Sequence, residues 1–198
     1  MINFLLCFLL LFGLVEELPA ENRLTSNIFL VLDVSGSMRG AEIQRLTETT
    51  VEIAQMPVDA FNIAAITFAD MPSRWNPPPQ KKAPTGWAEF PSAENKNLLI
   101  SWLGCFLNNS HGTQILPALE IALREPVNEL SIIIISDGAY DEEWELVRDA
   151  ILVNQKRRED NGLRPAVIMA IRSNINEFYR RKMEELGKVG GGGSYKVD

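Results

Sequence analysis

Four segments of the chain are apolar at almost every position, and nothing else in the sequence constrains the fold as strongly. They are Asn27 to Asp33 (NIFLVLD), Phe61 to Phe68 (FNIAAITF), Leu130 to Ser136 (LSIIIIS) and Pro165 to Ile171 (PAVIMAI). A strand with one face in water alternates apolar and polar residues. A strand covered on both faces does not, and such strands belong to parallel sheets. Tyr195 to Val197 is a short fifth candidate. Helical patterns lie between these runs. Glu42 to Met56 carries Ile43, Leu46, Val51 and Ile53 among polar residues. Gln114 to Arg124 follows Thr113, a residue suited to cap it. Glu142 to Arg158 begins acidic and ends Lys-Arg-Arg, as the helix dipole prefers. Ile175 to Leu186 carries Phe178, Met183 and Leu186. The alternation predicts an α/β fold: a doubly wound, mostly parallel central sheet with helices on both faces.

Asp70 to Asn95 interrupts the alternation. It contains Pro72, Pro77, Pro78, Pro79, Pro84 and Pro91. Proline cannot donate to a ladder, so the segment admits at most a short edge strand around Ser73 to Trp75. Trp75 and Trp87 are expected to pin this long segment to the body, with a ligand-facing surface as the alternative. Cys105, in an apolar helical stretch from Leu98 to Leu107, is expected to be a buried, unreactive thiol.

Composition removes several function classes. Nineteen Lys plus Arg against 26 Asp plus Glu give a net charge of −7, without the basic footprint that nucleic acid requires. One histidine and two cysteines are too few for a Cys/His zinc site. The apolar run from Phe4 to Val15 would span about 18 Å as a helix, short of the ~30 Å hydrocarbon core. It fits the apolar region of a secretory signal peptide over residues 1–20, with cleavage after Ala20. The alternatives are a short uncleaved anchor, the one route to a membrane, or a helix docked on the domain. Cleavage would leave Cys105 as the sole thiol, so no internal disulfide would form.

In open α/β sheets, ligands gather beyond the carboxyl ends of the strands. After the first strand comes Asp33-Val34-Ser35-Gly36-Ser37, and after the third comes Asp137-Gly138. His111-Gly112-Thr113 precedes a helix. The fold would bring these segments to one rim, where Asp33, Ser35, Ser37, Thr113 and Asp137 offer two carboxylates and three hydroxyls. Such a set suits a hard cation, Mg²⁺ or Mn²⁺. Two carboxylates formally neutralise a dication, and hydroxyls add ligation without charge. The ion therefore stays electrophilic toward an anionic oxygen from elsewhere. Asp141, Glu142 and Glu143 read as charges at the start of their own helix rather than further ligands. Gly190 to Gly193 reads as a flexible turn, and no Gly-Lys-Ser/Thr follows to make it a phosphate loop.

Asp33-Val34-Ser35-Gly36-Ser37 resembles the DxSxS motif of von Willebrand factor type A (VWA) domains. Gly112-Thr113 before Ile115-Leu116-Pro117-Ala118-Leu119 looks like that family's second loop, and Ser136-Asp137-Gly138 like its third. The resemblance covers residues 26–198, including Gly190 to Tyr195, which resembles the family's glycine-rich approach to its last strand. It implies a metal-ion-dependent adhesion site at Asp33, Ser35, Ser37, Thr113 and Asp137, with an acidic side chain of a protein partner completing the shell. His111 stands where the family often has glycine, and Pro77 to Pro91 looks longer than the usual hairpin region.

The expected function is an exported (secreted or periplasmic), non-enzymatic adhesion module binding a protein ligand with an exposed Asp or Glu. An intracellular accessory VWA domain working with an AAA+ ATPase is the alternative. A hydrolase on a similar fold is the remaining one. Its haloacid-dehalogenase form needs a second acid where Ser35 stands, its serine form lacks a Gly-x-Ser-x-Gly elbow, and His111 has no evident orienting acid.

Overall fold

The computed structural model describes residues 25–56, 61–106, 112–172 and 177–196. The N-terminal segment 1–20, His111 and Val197 lie outside the described residues. The elements in chain order are β1 (Asn27–Asp33), α1 (Ala41–Ala54), β2 (Phe61–Phe68), β3 (Ser73–Arg74), β4 (Ala88–Phe90), α2 (Ala93–Gly104), α3 (Leu116–Leu123), β5 (Leu130–Ser136), α4 (Trp144–Asp160), β6 (Val167–Arg172), α5 (Glu177–Val189) and β7 (Gly191–Lys196). The sheet has seven strands in the order β3-β2-β1-β5-β6-β7, with β4 also on the outer edge of β2. β2, β1, β5, β6 and β7 are parallel, whereas β3 and β4 run antiparallel to β2.

The double-sided burial read from the strands is what the sheet displays. Alternate residues Ile28, Leu30, Leu32, Ile63, Ile133 and Ile135 pack with Leu46 and Ile53 of α1 and with Leu99 and Leu103 of α2. The intervening residues Phe29, Val31, Ile66, Ile132, Ile134 and Ile168 pack with Leu119 of α3, Val147 and Ile151 of α4, and Met183 and Leu186 of α5. Each strand therefore spends both sets of side chains on a helical layer. Among the described residues, no helix is long and apolar enough to cross a membrane.

The proline-rich segment is fastened rather than free. Trp75 and Trp87 are both buried. Trp87 meets Phe29 edge-on at 5.7 Å, and its Nε1–H donates to Glu125 Oε2 at 2.9 Å. Arg74 donates to the other oxygen of Glu125. The edge strand at Ser73 is present, but β4 was not expected. It is held by cross-strand pairing with β2, including stacking of Phe61 on Phe90 at 6.0 Å.

Three expectations are corrected. Cys105 is exposed, because α2 buries the stripe Asn95, Leu99 and Leu103 and Cys105, two residues past Leu103, lies off that stripe. The glycines from 191 onward form β7 itself rather than a flexible turn. Two glycines of this run are small because β6 is close: a Cβ on Gly192 would stand 2.3 Å from the Ile168 carbonyl oxygen, and one on Gly190 2.2 Å from Ile168 Cβ, whereas Gly191 and Gly193 hold positive φ of 77° and 82°. Finally, Thr113 does not cap α3 through its side chain.

Candidate metal centre

The chain leaves β1 for β2 on one side and returns to β5 on the other, so the β1/β5 junction is the sheet's switch point. Leu32 pairs with Ile135, which sets the strand-end residues Asp33 and Ser136 side by side. The Ser136 hydroxyl donates to Asp33 Oδ2 at 2.6 Å, and the Gly138 N–H donates to Ser136 Oγ at 2.9 Å. Asp33 Oδ1 accepts the Ser35 N–H at 2.9 Å, and the Ser35 and Ser37 hydroxyls lie 3.0 Å apart. The turn is anchored by Met38, buried, whose N–H donates to Ser35 O. Asp137 Oδ1 accepts the Ala139 N–H at 2.9 Å. Gly138, at φ +80°, passes closely under Tyr179 and Met183 of α5, so this loop rests on that helix.

Thr113 joins through the backbone. Its N–H donates to Asp141 Oδ2 and its carbonyl accepts the Asp141 N–H, both at 2.9 Å. The Leu116 N–H donates to Glu142 Oε1 at 2.9 Å, and the Gln114 N–H to Ala69 O at 2.9 Å. Gly112 lies against Asp70 beyond β2: a Cβ there would be 2.3 Å from Asp70 Oδ1. Asp141 and Glu142 thus satisfy the open N–H groups ahead of α3 and at its start, not those of their own helix. This corrects their reading as charges at the start of α4.

Burial sets the electrostatics. Asp33 is fully buried, and Ser35, Thr113 and Asp137 are nearly so. Burial pushes the Asp33 carboxyl up from its ordinary 3.8 to about 6, against the hydrogen bonds from Ser136 and Ser35, and the charge of Asp137 pushes the same way.

No family model matches the chain, and no curated protein matches it. Solved structures do. A von Willebrand factor type A protein from Catenulispora acidiphila aligns over 87% of this chain and 38% of its own, at 17% identity and TM-score 0.61. The vWF domain of the type V pili tip protein Mfa5 from Porphyromonas gingivalis aligns over 86% of this chain and 88% of its own, at 11% identity and TM-score 0.57. The SpRpn10 VWA domain aligns over 87% and 88%, at 11% identity and TM-score 0.53. The fold is that of a VWA domain. At these identities the likeness speaks to fold alone, and the chain spans well under half of the Catenulispora protein.

In this VWA fold the DxSxS turn and the Asp137 loop meet at the β1/β5 junction, and Asp141 ties the Thr113 loop to the segment that follows Asp137. Among the described residues, neither Asp33 nor Asp137 forms an ion pair with a basic side chain. Two buried like charges thus lack a basic partner among the described residues. No group of three or more His, Cys, Asp or Glu side chains arranged for a metal occurs among the described residues. An ion here would therefore rest on hydroxyls as much as on carboxylates. Hard oxygen donors and two negative charges, with no cation paired to them among the described residues, fit a divalent ion such as Mg²⁺. Ser136 and Asp141 are the functional candidates that sequence reasoning missed. Ser136 had a signal, its position beside Asp33 in the strand register. Asp141 had none.

Proposed function

We propose that this VWA domain is an exported, non-enzymatic module that binds an acidic group of a protein partner through a divalent cation. Asp33, Ser35, Ser37, Thr113 and Asp137 would hold the ion, Mg²⁺ or Mn²⁺. Once bound, the ion would supply a positive centre for a partner's Asp or Glu oxygen. Asp33 and Asp137 would supply the compensating charge, Ser136 would orient Asp33, and Asp141 would hold the Thr113 loop in place. The observation that carries this reading is the pair of buried carboxylates on adjoining loops with no basic partner among the described residues. Burying a charge without compensation is costly, and a dication removes that cost. Export is supported by the apolar run Phe4 to Val15 and the Ala20 that follows it.

The test is capture of an immobilised display library of peptides containing Asp or Glu by the domain comprising residues 21–198. Capture is expected with Mg²⁺, and it should disappear with EDTA or with Asp33→Ala. Equal capture with EDTA and with Mg²⁺ would overturn the reading.

A further inference from the structure

Beyond Asp141 the rim opens into a groove of about 500 Å³ between the start of α4 and the start of α5. Its charged groups divide into those already engaged and those left over. Asp141 and Glu142 are committed to backbone N–H groups ahead of α3 and at its start. Arg181 pairs with Glu177 at 3.3 Å. Lys182 lies over the rings of Tyr140 and Phe178, 4.6 and 5.2 Å from their centroids, and donates to Tyr140 O at 3.5 Å. Glu143, Glu145 and Glu185 are exposed, and no ion pair among the described residues engages them. Between them stand the partly buried Trp144 and the exposed ring of Phe178. The negative field reaches inward: burial first, then the charges of Glu142 and Glu185, push the Tyr140 phenol well above its ordinary range.

We propose that this groove is a metal-independent subsite for a cationic side chain of a protein partner, an arginine above all. The five carboxylates that line it, Asp141, Glu142, Glu143, Glu145 and Glu185, outnumber the two cations Arg181 and Lys182, so its charge balance is negative. An exposed aromatic face beside carboxylates suits a planar guanidinium, which stacks and donates at once. Lysine offers the charge without the stacking plane. An anionic side chain would face the same carboxylates and be repelled.

The probe is Nα-acetyl-arginine amide, titrated into the isotope-labelled domain comprising residues 21–198 in EDTA and followed by amide and indole NMR shifts. Nα-acetyl-glutamate amide is the control. Saturable shifts are expected at residues 141–145, the Trp144 indole and residues 178–185 with the arginine probe, weakening as salt is added. Phe178→Ala should weaken binding about two- to fivefold, the range of an exposed cation–π contact. Glu143→Gln with Glu145→Gln should weaken it as well, whereas Arg181→Gln, at an exposed position, should tighten it by removing a like charge. No saturable shift, or equal shifts with the glutamate probe, would overturn the proposal. Because EDTA is present throughout, the outcome does not depend on the candidate metal site, whose failure would show only in the Mg²⁺-dependent capture.

Discussion

Replacing Asp33 with asparagine separates the electrostatics of the rim from its packing. In the metal-free protein the Asp33 carboxyl ionises at about 6 instead of 3.8. The native state therefore holds a proton between those values that the unfolded chain has released. Stability must fall as pH rises through that window, because the native state then binds more protons than the unfolded one. At 1.36 kcal/mol per pKa unit, the full loss from this group is about 3 kcal/mol above pH ~6. Well below pH 3.8 the loss is absent, because both states are then protonated. Asparagine keeps the shape and one carbonyl to accept the Ser35 N–H, and the Ser136 hydroxyl can turn to accept from its amide. The assay is urea unfolding in EDTA at about pH 4 and pH 7.5, for wild type and Asp33→Asn. Carboxylates remote from Asp33 contribute alike in both proteins, so the difference of the two differences reports Asp33 together with its coupling to Asp137. Relative to wild type, the variant should gain about 2.5 kcal/mol between the two pH values. Adding Mg²⁺ at pH 7.5 to about a hundred times its dissociation constant should then stabilise wild type by about 2.7 kcal/mol and leave the variant unmoved. Parallel stability profiles in EDTA would refute the claim that Asp33 is a buried charge without a compensating partner.

Two other perturbations address the supports of the site. Asp141→Ala removes the carboxylate that accepts the Thr113 N–H. It should lower Mg²⁺ affinity about tenfold, as loss of an outer-shell positioning group does, and unchanged affinity by calorimetry would contradict that role. Gly192→Ala drives a Cβ to 2.3 Å from the Ile168 carbonyl oxygen and 2.5 Å from Met169 Cγ. It should destabilise by at least about 1–3 kcal/mol in urea unfolding, whereas Gly104→Ala, with open space around it, should not destabilise. Equal stabilities of the two variants would contradict the packing of β7 on β6.

The sequence discloses most where local chemistry and tertiary environment agree. β1, β2 and β5 begin and end at the residues their apolar runs mark, because a strand sandwiched between helical layers needs apolar side chains at every position. β4 has only three residues and lies in proline-rich chain, and its existence depends on Phe61 and its neighbours across the ladder. β7 opens with glycines, which carry no side-chain pattern, and what requires them is the nearness of Ile168 at Gly192 and a positive φ at Gly191 and Gly193. The same division holds at the rim. The DxSxS turn is compact, so Asp33, Ser35 and Ser37 are legible together. Asp137 is legible because it follows the strongest strand. Asp141 and Glu142 sit at the front of an acidic helix start, and their partners are backbone groups some 26 to 28 residues away. Cys105 was misjudged because an apolar stretch does not say which stripe of its helix faces inward.

Calorimetric titration of Mg²⁺ into the EDTA-stripped domain, wild type against Ser35→Ala and Thr113→Ala, bears most directly on the whole account. It predicts one saturable site in the wild type and weaker binding in each variant, with the circular dichroism of all three unchanged. A wild type that takes up no Mg²⁺, or variants that bind it as tightly, would contradict the central claim.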